Sequence, residues 1–181
     1  QLQTENDKLA HQARHDELTQ LPNRNFFYQT LFQMFYQKNY QNTALLYIDN
    51  NHFKEINDKY GHLAGDAVLK EMSKRLKVSL RQDDFIARLG GDEFAILLKN
   101  IQRPDHSISI AQHLLNCCKA PLYYEKTEIY FSFSIGIAFF NCFKSPEDLI
   151  TAADSAMYKA KLLDKNWHIA TREDLNCDEP T

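Results

Sequence analysis

The stretch Arg88-Leu89-Gly90-Gly91-Asp92-Glu93-Phe94 decides the fold, because two glycines and two adjacent carboxylates lie between two short apolar runs. Residues 85–89 and 94–98 are both typical of strands. The residues between them predict a tight hairpin, since glycine tolerates the positive φ of such turns. Taken alone, the pattern is more often only a surface turn. Paired carboxylates on a rigid tip are also well suited to holding Mg²⁺ against a nucleotide phosphate.

Length and composition indicate one domain with one sizeable core, since 44% of the 181 residues are hydrophobic. The longest apolar run, residues 129–140, is interrupted by serines and is well short of the roughly 20 residues that a membrane helix needs. The net charge of -3 gives no reason to expect nucleic acid as a partner, although local Lys and Arg side chains could bind a triphosphate. Neither the histidines nor the cysteines show metal-site spacing, and the cysteines are typical of thiols in a reducing cytoplasm: Cys117, Cys118, Cys142 and Cys177.

Helix and strand patterns alternate along the middle of the chain. Residues 23–38 and 65–80 each place apolar side chains on one helical stripe. Ser145-Pro146-Glu147-Asp148 is a strong helix start, with a capping serine, an early proline and first-turn acids. In residues 129–139 bulky apolar residues alternate with small ones, which predicts one continuous strand. Such a strand suits a sheet covered by helices, as in an α+β domain.

The two ends of the chain differ from the middle. Residues 1–15 predict a lead-in helix, with Leu2, Leu9 and Ala13 spaced by seven and four, a signal too short to separate a coiled coil from a plain amphipathic helix. Residues 171–181 form a polar, acidic tail. We therefore expect one folded domain over residues 16–170. Because the first residue is Gln1 and not Met, we expect either a piece of a longer protein or a processed chain.

A second motif begins where a buried strand pattern ends in Asp49 and continues as Asn50-Asn51-His52-Phe53-Lys54-Glu55-Ile56-Asn57-Asp58-Lys59-Tyr60-Gly61-His62-Leu63-Ala64-Gly65-Asp66. Together with the hairpin and the opening stretch Asp16-Glu17-Leu18-Thr19-Gln20-Leu21-Pro22-Asn23-Arg24, it resembles the GGDEF family, the diguanylate cyclases that make cyclic di-GMP from two GTP molecules. The resemblance covers about residues 16–166. It implies an α+β fold of the ferredoxin-like or palm type, with a central antiparallel sheet flanked by helices.

The resemblance implies attack of a ribose 3′-hydroxyl on the α-phosphorus of GTP, with pyrophosphate leaving. Asp49 and Asp92 are then the acids that hold Mg²⁺, or Mn²⁺ in its place, helped by the backbone carbonyl of Asn50. Glu93 would assist metal binding or activate the hydroxyl, and the sequence does not separate these roles. For each acid alone, a solvated turn residue is the plainer interpretation.

Guanine recognition would come from Asn57 and Asp66, because an amide and a carboxylate can pair with the guanine edge. Their local interpretation is a turn residue and a first-turn helix acid. Lys54 and the pair Lys161 and Lys165, four apart on one predicted helix face, would meet the triphosphate. Without the family resemblance all three would be read as solvent-exposed lysines.

An inhibitory product site is implied upstream of the hairpin. Arg81 and Asp84 are three apart and match the family's position for binding cyclic di-GMP, and Arg88 is a further candidate. As a bare pattern, Arg and Asp three apart are common on loops. The expected behaviour is product inhibition.

Three positions depart from the family's usual pattern. Asn51 stands where a second Asp is usual, Gln20 replaces a usual Gly, and Asp164-Lys165 stands where Gly-Arg is usual. Loss of a carboxylate near the metal lowers the local negative charge, and Lys offers a point charge where Arg offers a fork. These changes favour reduced activity.

Three hypotheses follow. In the first, the domain is a diguanylate cyclase in which two protomers form a homodimer and each presents one Mg-GTP. In the second, it is a degenerate regulatory module that binds GTP or cyclic di-GMP without turnover. In the third, which the ordered motifs favour least, it is a scaffold whose acidic residues are only surface residues. The resemblance also implies an upstream sensory domain, and a cytoplasmic location for this domain within a protein that a membrane segment could anchor.

Overall fold

The structure is a computed structural model that describes residues 2–172, with side chains from residue 5 onward. Six α-helices are described: α1 Leu2–Arg14, α2 Arg24–Tyr36, α3 Phe53–Tyr60, α4 His62–Val78, α5 Pro104–Cys117 and α6 Pro146–Leu162. The described strands are β1 Ala44–Asn51, β2 Phe85–Gly90, β3 Glu93–Leu98, β4 Leu122–Tyr124, β5 Thr127–Ile129, β6 Ser132–Phe139 and β7 Trp167–Ile169. Most of the predicted polar tail, from residue 173 onward, lies outside the described residues, as does Cys177.

A five-stranded sheet in the order β2-β3-β1-β6-β7 forms the centre of the domain. All neighbours in it are antiparallel except β6 and β7, which run parallel. One face packs against α3, α4 and α5, and the other against α2 and α6. The predicted α+β class, with a mostly antiparallel sheet flanked by helices, is therefore confirmed.

Strand β1 is the central strand, and its side chains divide the two cores. Leu46 and Ile48 point into the core with α3 and α4, whereas Leu45 and Tyr47 point into the core with α2 and α6. This is the alternation that a strand imposes on successive side chains. Both faces of the sheet are covered, so the polar end of β1, which begins at Asp49, follows five buried residues of the same strand.

The predicted helix starts are confirmed by their capping bonds. The Asn23 side chain accepts a hydrogen bond from the Phe26 amide at 3.0 Å, and the Ser145 hydroxyl accepts one from the Asp148 amide at 3.1 Å. Helix α4 begins at His62, three residues before the predicted start at residue 65. Gly65 therefore lies inside the helix, where an added Cβ would collide with the Asn57 side chain.

The prediction of one continuous strand over residues 129–139 is wrong. Ile129 ends β5, which pairs only with β4 in a separate two-stranded hairpin, and β6 begins at Ser132. The alternation persists through the break because Ile129 and Phe131 are buried in the same core as Phe133. A pattern of burial therefore does not reveal that the chain has left the sheet.

Gly136 of β6 sets how closely α6 approaches the sheet. A Cβ at this position would collide with the Ala153 carbonyl and the Met157 amide of α6. The small-residue face predicted for this strand is therefore the face on which the helix backbone rests. Within residues 2–172, none of the helices has the length and apolar character that crossing a bilayer requires.

Candidate functional site

The hairpin predicted from the two glycines is confirmed as the turn between β2 and β3. Gly90 and Gly91 have φ values of +134° and +50°, a region that glycine enters without steric cost. The pairing of the two strands shifts by one residue between Arg88 and Gly90, as in a β-bulge. Asp92 follows the glycines at the tip, and Glu93 begins β3.

Strand pairing brings the hairpin acids to the end of β1. Asp49 lies directly opposite Glu93, and the Asn50 amide donates to the Asp92 carbonyl at 3.3 Å. Burial, and then the negative charge of Asp49, raise the pKa of Asp92 to about 6. Asp49 Oδ1 is buried and has no hydrogen-bond partner among the described residues. Two carboxylates close together, one with an unpartnered oxygen, are a donor set that fits a divalent cation.

Lys161 of α6 binds to the same group of oxygens. Its ammonium lies 2.6 Å from Asp49 Oδ2 and 3.2 Å from the Asn50 carbonyl oxygen. The charge of this lysine also opposes the rise in the pKa of Asp92. No group of three or more His, Cys, Asp or Glu side chains within the described part of the chain is arranged to hold a metal. A metal at this edge would therefore use the two carboxylates and a backbone oxygen.

Glu93 is oriented by a tyrosine that the sequence analysis did not consider. The Tyr47 hydroxyl, in the buried part of β1, donates to Glu93 Oε2 at 3.2 Å. Burial, and then the charge of Asp49, raise the pKa of Glu93, and the Tyr47 hydrogen bond opposes this rise. Glu93 is thus a half-buried carboxylate at the edge of the Asp49 group.

Asp154 of α6 is a fourth acid near this edge, and it was also missed. Partial desolvation, and then the charge of Asp49, raise the pKa of Asp154, whose side chain remains exposed, while Lys161 lowers it. The two residues lie seven apart on α6, which is two helical turns and so the same face. The spacing of seven could have been used in the sequence analysis, because it predicts that Asp154 lies on the same face of the helix as Lys161.

The two predicted guanine residues lie on neighbouring helices. Asn57 of α3 packs against Gly65 of α4, and Asp66 follows that glycine directly. Both side chains are half-buried, whereas Lys54 of α3 is exposed. The structure therefore places Asn57 and Asp66 at one α3–α4 junction.

Lys161 and Lys165 do not share a helix face, so that prediction is wrong. Helix α6 ends at Leu162, and Asp164 adopts a φ of +52°, which turns the chain before Lys165. Both lysines nevertheless line one cavity of about 460 Å³, together with Asn51 and Ser134. The turn, and not helical periodicity, brings them to the same cavity.

The predicted inhibitory residues divide into two groups. The Arg81 amide donates to Asp84 Oδ2 at 3.0 Å, and the Lys99 amide donates to Asp84 Oδ1 at 3.2 Å. Arg88 makes other bonds: its Nη1 donates to both carboxylate oxygens of Asp16 at 3.0 Å. Its Nη2 and Nε donate to the Gly91 carbonyl at 2.7 and 3.1 Å. The guanidinium of Arg88 thus joins the start of the domain to the hairpin.

Asn51, where the family usually has an acid, is bonded to strand β6. Its Nδ2 donates to Ser132 Oγ at 3.2 Å, and its Oδ1 accepts from Ser134 Oγ at 2.9 Å. The Asn51 amide therefore donates to one hydroxyl and accepts from the other. A carboxylate at this position could only accept hydrogen bonds.

Comparison with known proteins agrees with this architecture. A family profile described as "Diguanylate cyclase, GGDEF domain" matches residues 13–167. The chain therefore belongs to the GGDEF-domain family of diguanylate cyclases, a class of nucleotidyltransferases.

Individual relatives are similar over most of this chain. Diguanylate cyclase TpbB of Pseudomonas aeruginosa strain PAO1 is 43% identical over 164 residues, covering 88% of this chain and 38% of TpbB. MucR of the same strain, a bifunctional diguanylate cyclase/cyclic di-GMP phosphodiesterase, is 35% identical over 176 residues, covering 96% of this chain and 26% of MucR. The solved GGDEF domain of TpbB superposes with a TM-score of 0.83 at 39% identity, covering 88% of this chain and 96% of that domain. The chain thus spans less than half the length of these two full-length relatives.

Proposed function

We propose that this domain condenses two GTP molecules into cyclic di-GMP and releases pyrophosphate. The observation that carries the proposal is the pair of carboxylates at adjoining strand ends, Asp49 and Asp92, of which Asp49 keeps a buried oxygen without a partner in the described structure. Burial, and then the charge of Asp49, raise the pKa of Asp92, so a cation beside the two carboxylates would favour their charged form. When bound, Mg²⁺ or Mn²⁺ would supply charge neutralisation for the phosphates.

The remaining polar residues have separate parts in this proposal. Asp49, Asp92 and the Asn50 carbonyl hold the metal, and Glu93 either assists them or accepts the proton of the attacking hydroxyl. Asn57 and Asp66, at their shared junction, bind the guanine edge. Lys54, Lys161 and Lys165 bind the triphosphate. Little covalent chemistry is left to the protein, so positioning and charge would account for most of the rate.

One domain would hold only half of the reactants. Cyclic di-GMP joins two guanylates, and each domain in this proposal presents one GTP, so the active species is a homodimer in which each hydroxyl attacks the other nucleotide. An upstream sensory domain would control how the two domains meet, with α1 as the connecting helix. The rate per domain should therefore rise with protein concentration until all of the protein is dimeric.

Incubation of the purified chain with GTP and Mg²⁺, followed by nucleotide chromatography, tests the activity. We expect cyclic di-GMP and pyrophosphate from the wild type, and a loss of about a hundredfold or more for Asp92→Asn, which removes one metal-ligand charge. Asp105→Asn, on an exposed surface outside both proposed sites, is the matched control and should retain the wild-type rate. Product formation that is insensitive to Asp92→Asn would contradict the proposal.

The inhibitory site is a separate part of the proposal. Arg81 and Asp84, held together by the loop before β2, would bind cyclic di-GMP through a guanidinium and a carboxylate. Arg81→Ala should relieve product inhibition in a steady-state assay without lowering the initial rate. Inhibition that survives this substitution would remove the site while leaving the cyclase activity in place.

A second candidate is a regulatory module that binds nucleotide without turnover. Two observations favour it: Asn51 is neutral where the family usually has an acid, and Lys161 already pairs with Asp49. Nucleotide binding by calorimetry without pyrophosphate release would support the module over the enzyme.

A further inference from the structure

Lys161 has contacts that a phosphate-binding lysine does not need. Its ammonium bonds to Asp49 Oδ2 at 2.6 Å and to the Asn50 carbonyl at 3.2 Å. The proposed function assigns the Asn50 carbonyl and the Asp49 carboxylate, whose Oδ1 has no partner in the described structure, to a divalent cation. The lysine side chain is 29% exposed and its aspartate partner 20%, so the pair is partly shielded from water.

An ammonium on Asp49 Oδ2 and on the Asn50 carbonyl disfavours a divalent ion at the same carboxylate, even at the unpartnered Oδ1. A divalent ion needs close contact with a carboxylate oxygen, and an ammonium that keeps its own bond to that carboxylate would repel it at short range. Removal of Lys161 alone would leave Asp49, Asp92 and Asp154 with less positive charge nearby, because Lys161 opposes the raised pKa of Asp92 and of Asp154. The positive charge of Lys161 therefore offsets part of the negative charge of these carboxylates, as a bound metal would.

The cavity beside Lys161 offers its side chain a second position. Lys161 and Lys165 line this space of about 460 Å³ with Asn51, Ser132 and Ser134. A lysine stem with its freely rotating bonds can move its ammonium from the Asp49 carboxylate into this cavity. A triphosphate in the cavity would give the displaced ammonium a new anionic partner.

We infer that Lys161 competes with the divalent cation for Asp49 and the Asn50 carbonyl, and that it leaves them only when a triphosphate binds. This inference rests on the metal site of the proposed function. Metal alone then binds weakly, because it must displace the Lys161 ammonium from Asp49 and no other anion is present to pair with that ammonium. Metal and nucleotide bind together with positive coupling, and linkage requires each to strengthen the other by the same factor.

Titration of the chain with Mn²⁺ alone, with free Mn²⁺ measured by electron paramagnetic resonance, tests this competition without any turnover. We expect Lys161→Met to bind Mn²⁺ about tenfold more tightly than the wild type in the absence of nucleotide, because the competing charge is gone. A non-hydrolysable GTP analogue should strengthen Mn²⁺ binding in the wild type and do so much less in Lys161→Met. Lys161→Arg keeps the charge and should bind Mn²⁺ as weakly as the wild type.

Two controls separate the possible failures. Lys165→Met removes the same charge from the same cavity without touching Asp49, and should change the Mn²⁺ affinity by less than about threefold. Asp49→Asn should abolish binding in either background. If Asp49-dependent Mn²⁺ binding is present and Lys161→Met does not tighten it, the competition is refuted and the metal site stands. If Mn²⁺ binding never depends on Asp49, with or without the analogue, the proposed function fails as well.

A measurement on the wild type removes any dependence on how the variants fold. With lysine labelled at Cε and Nζ, the nuclear magnetic resonance signal of the Lys161 ammonium should stay unchanged when Mg²⁺ is added at its physiological concentration. The signal should shift when Mg²⁺ and the GTP analogue are added together. A shift of equal size with Mg²⁺ alone would overturn the inference.

Discussion

At the scale of single residues, two side chains occupy backbone conformations that favour glycine. Gln20 has a φ of +60° and Asp164 a φ of +52°, and both stand where the GGDEF family usually has glycine. In this chain both left-handed positions are therefore occupied by residues that carry a side chain. A left-handed conformation costs a side-chain-bearing residue roughly 1–2 kcal/mol, less for Asp.

Gln20→Gly should therefore stabilise the domain, by about 0.5–1 kcal/mol once the larger entropy of unfolded glycine is subtracted. Gln29→Gly in the middle of α2 is the matched control and should destabilise by about 1 kcal/mol, because its backbone is helical. Urea unfolding measures both. Destabilisation by both substitutions would show that the Gln20 side-chain bond to the Glu17 carbonyl outweighs the strain.

Asn50 is a second residue-scale anomaly, because its side chain points into the apolar core below β1. It is 2% exposed, its Oδ1 has no partner within the described structure, and its Nδ2 meets only Met72 Sδ at 3.8 Å. Asn50→Leu should raise the free energy of unfolding by about 1–3 kcal/mol, because an unsatisfied polar group is removed. The neighbouring Asn51→Leu breaks two good hydrogen bonds and should give no such gain.

The backbone carbonyl of Asn50, and not its side chain, belongs to the proposed metal site. Mn²⁺ affinity in Asn50→Leu should therefore match that of the wild type. A stabilised variant that has lost Mn²⁺ binding would place the amide itself in the site.

At the scale of elements, Arg75 of α4 fixes the small β4–β5 hairpin to the domain. Its guanidinium donates to the carbonyls of Ala120 and Pro121, pairs with Glu71 and lies over the ring of Phe131. This short hairpin pairs with no strand of the main sheet, and two-stranded hairpins are marginal alone. Side-chain bonds from a helix thus replace the missing strand partners.

Arg75→Met should destabilise the domain by about 2 kcal/mol, since two carbonyls lose a charged donor. Arg103→Met is the comparison, because Arg103 pairs with Asp105 on an exposed surface and should cost less than about 0.5 kcal/mol. Urea unfolding compares the two. Equal effects would show that the hairpin does not depend on Arg75.

Elements also differ in how far the sequence predicted them. The β2–β3 hairpin and the start of α6 were predictable, because turn glycines and a capping serine act within a few residues. The pairs Arg88–Asp16 and Lys161–Asp49 join residues 72 and 112 apart, and no local pattern reports such contacts. The break between β5 and β6 was missed because Phe131 stays buried across it. The family resemblance named the acids of the site but not the partners that hold them.

At the scale of the whole molecule, the Asp16–Arg88 pair joins the segment after α1 to the hairpin turn. The Asp16 carboxylate also accepts from the Thr19 amide and hydroxyl at 2.8 and 2.7 Å. Burial alone would raise the pKa of Asp16, but the Thr19 bonds and the charge of Arg88 together lower it below its usual value. A movement of α1 that shifts Asp16 would therefore be transmitted to the Gly91 carbonyl through the guanidinium of Arg88.

The stabilising effect of this pair should depend on pH. Because the folded pKa of Asp16 is depressed, its contribution is fully present above the unfolded value of about 4 and is lost as the pH falls through the lower folded pKa. Asp16→Asn should cost about 1–2 kcal/mol at neutral pH, and the two unfolding curves should converge in acid. A difference that stays constant down to about pH 2 would contradict this electrostatic origin.

The close contact between the α6 backbone and Gly136 limits which residues position 136 can accept. Gly136 pairs with Tyr47 in the sheet, whereas Asp154 and Lys161 both lie on the helix whose backbone rests on that glycine. A methyl group at position 136 would push α6 away from the sheet and so displace Lys161 from Asp49. A library randomised at position 136 and selected for the proposed cyclase activity should thus return glycine alone, although this residue has no polar side chain.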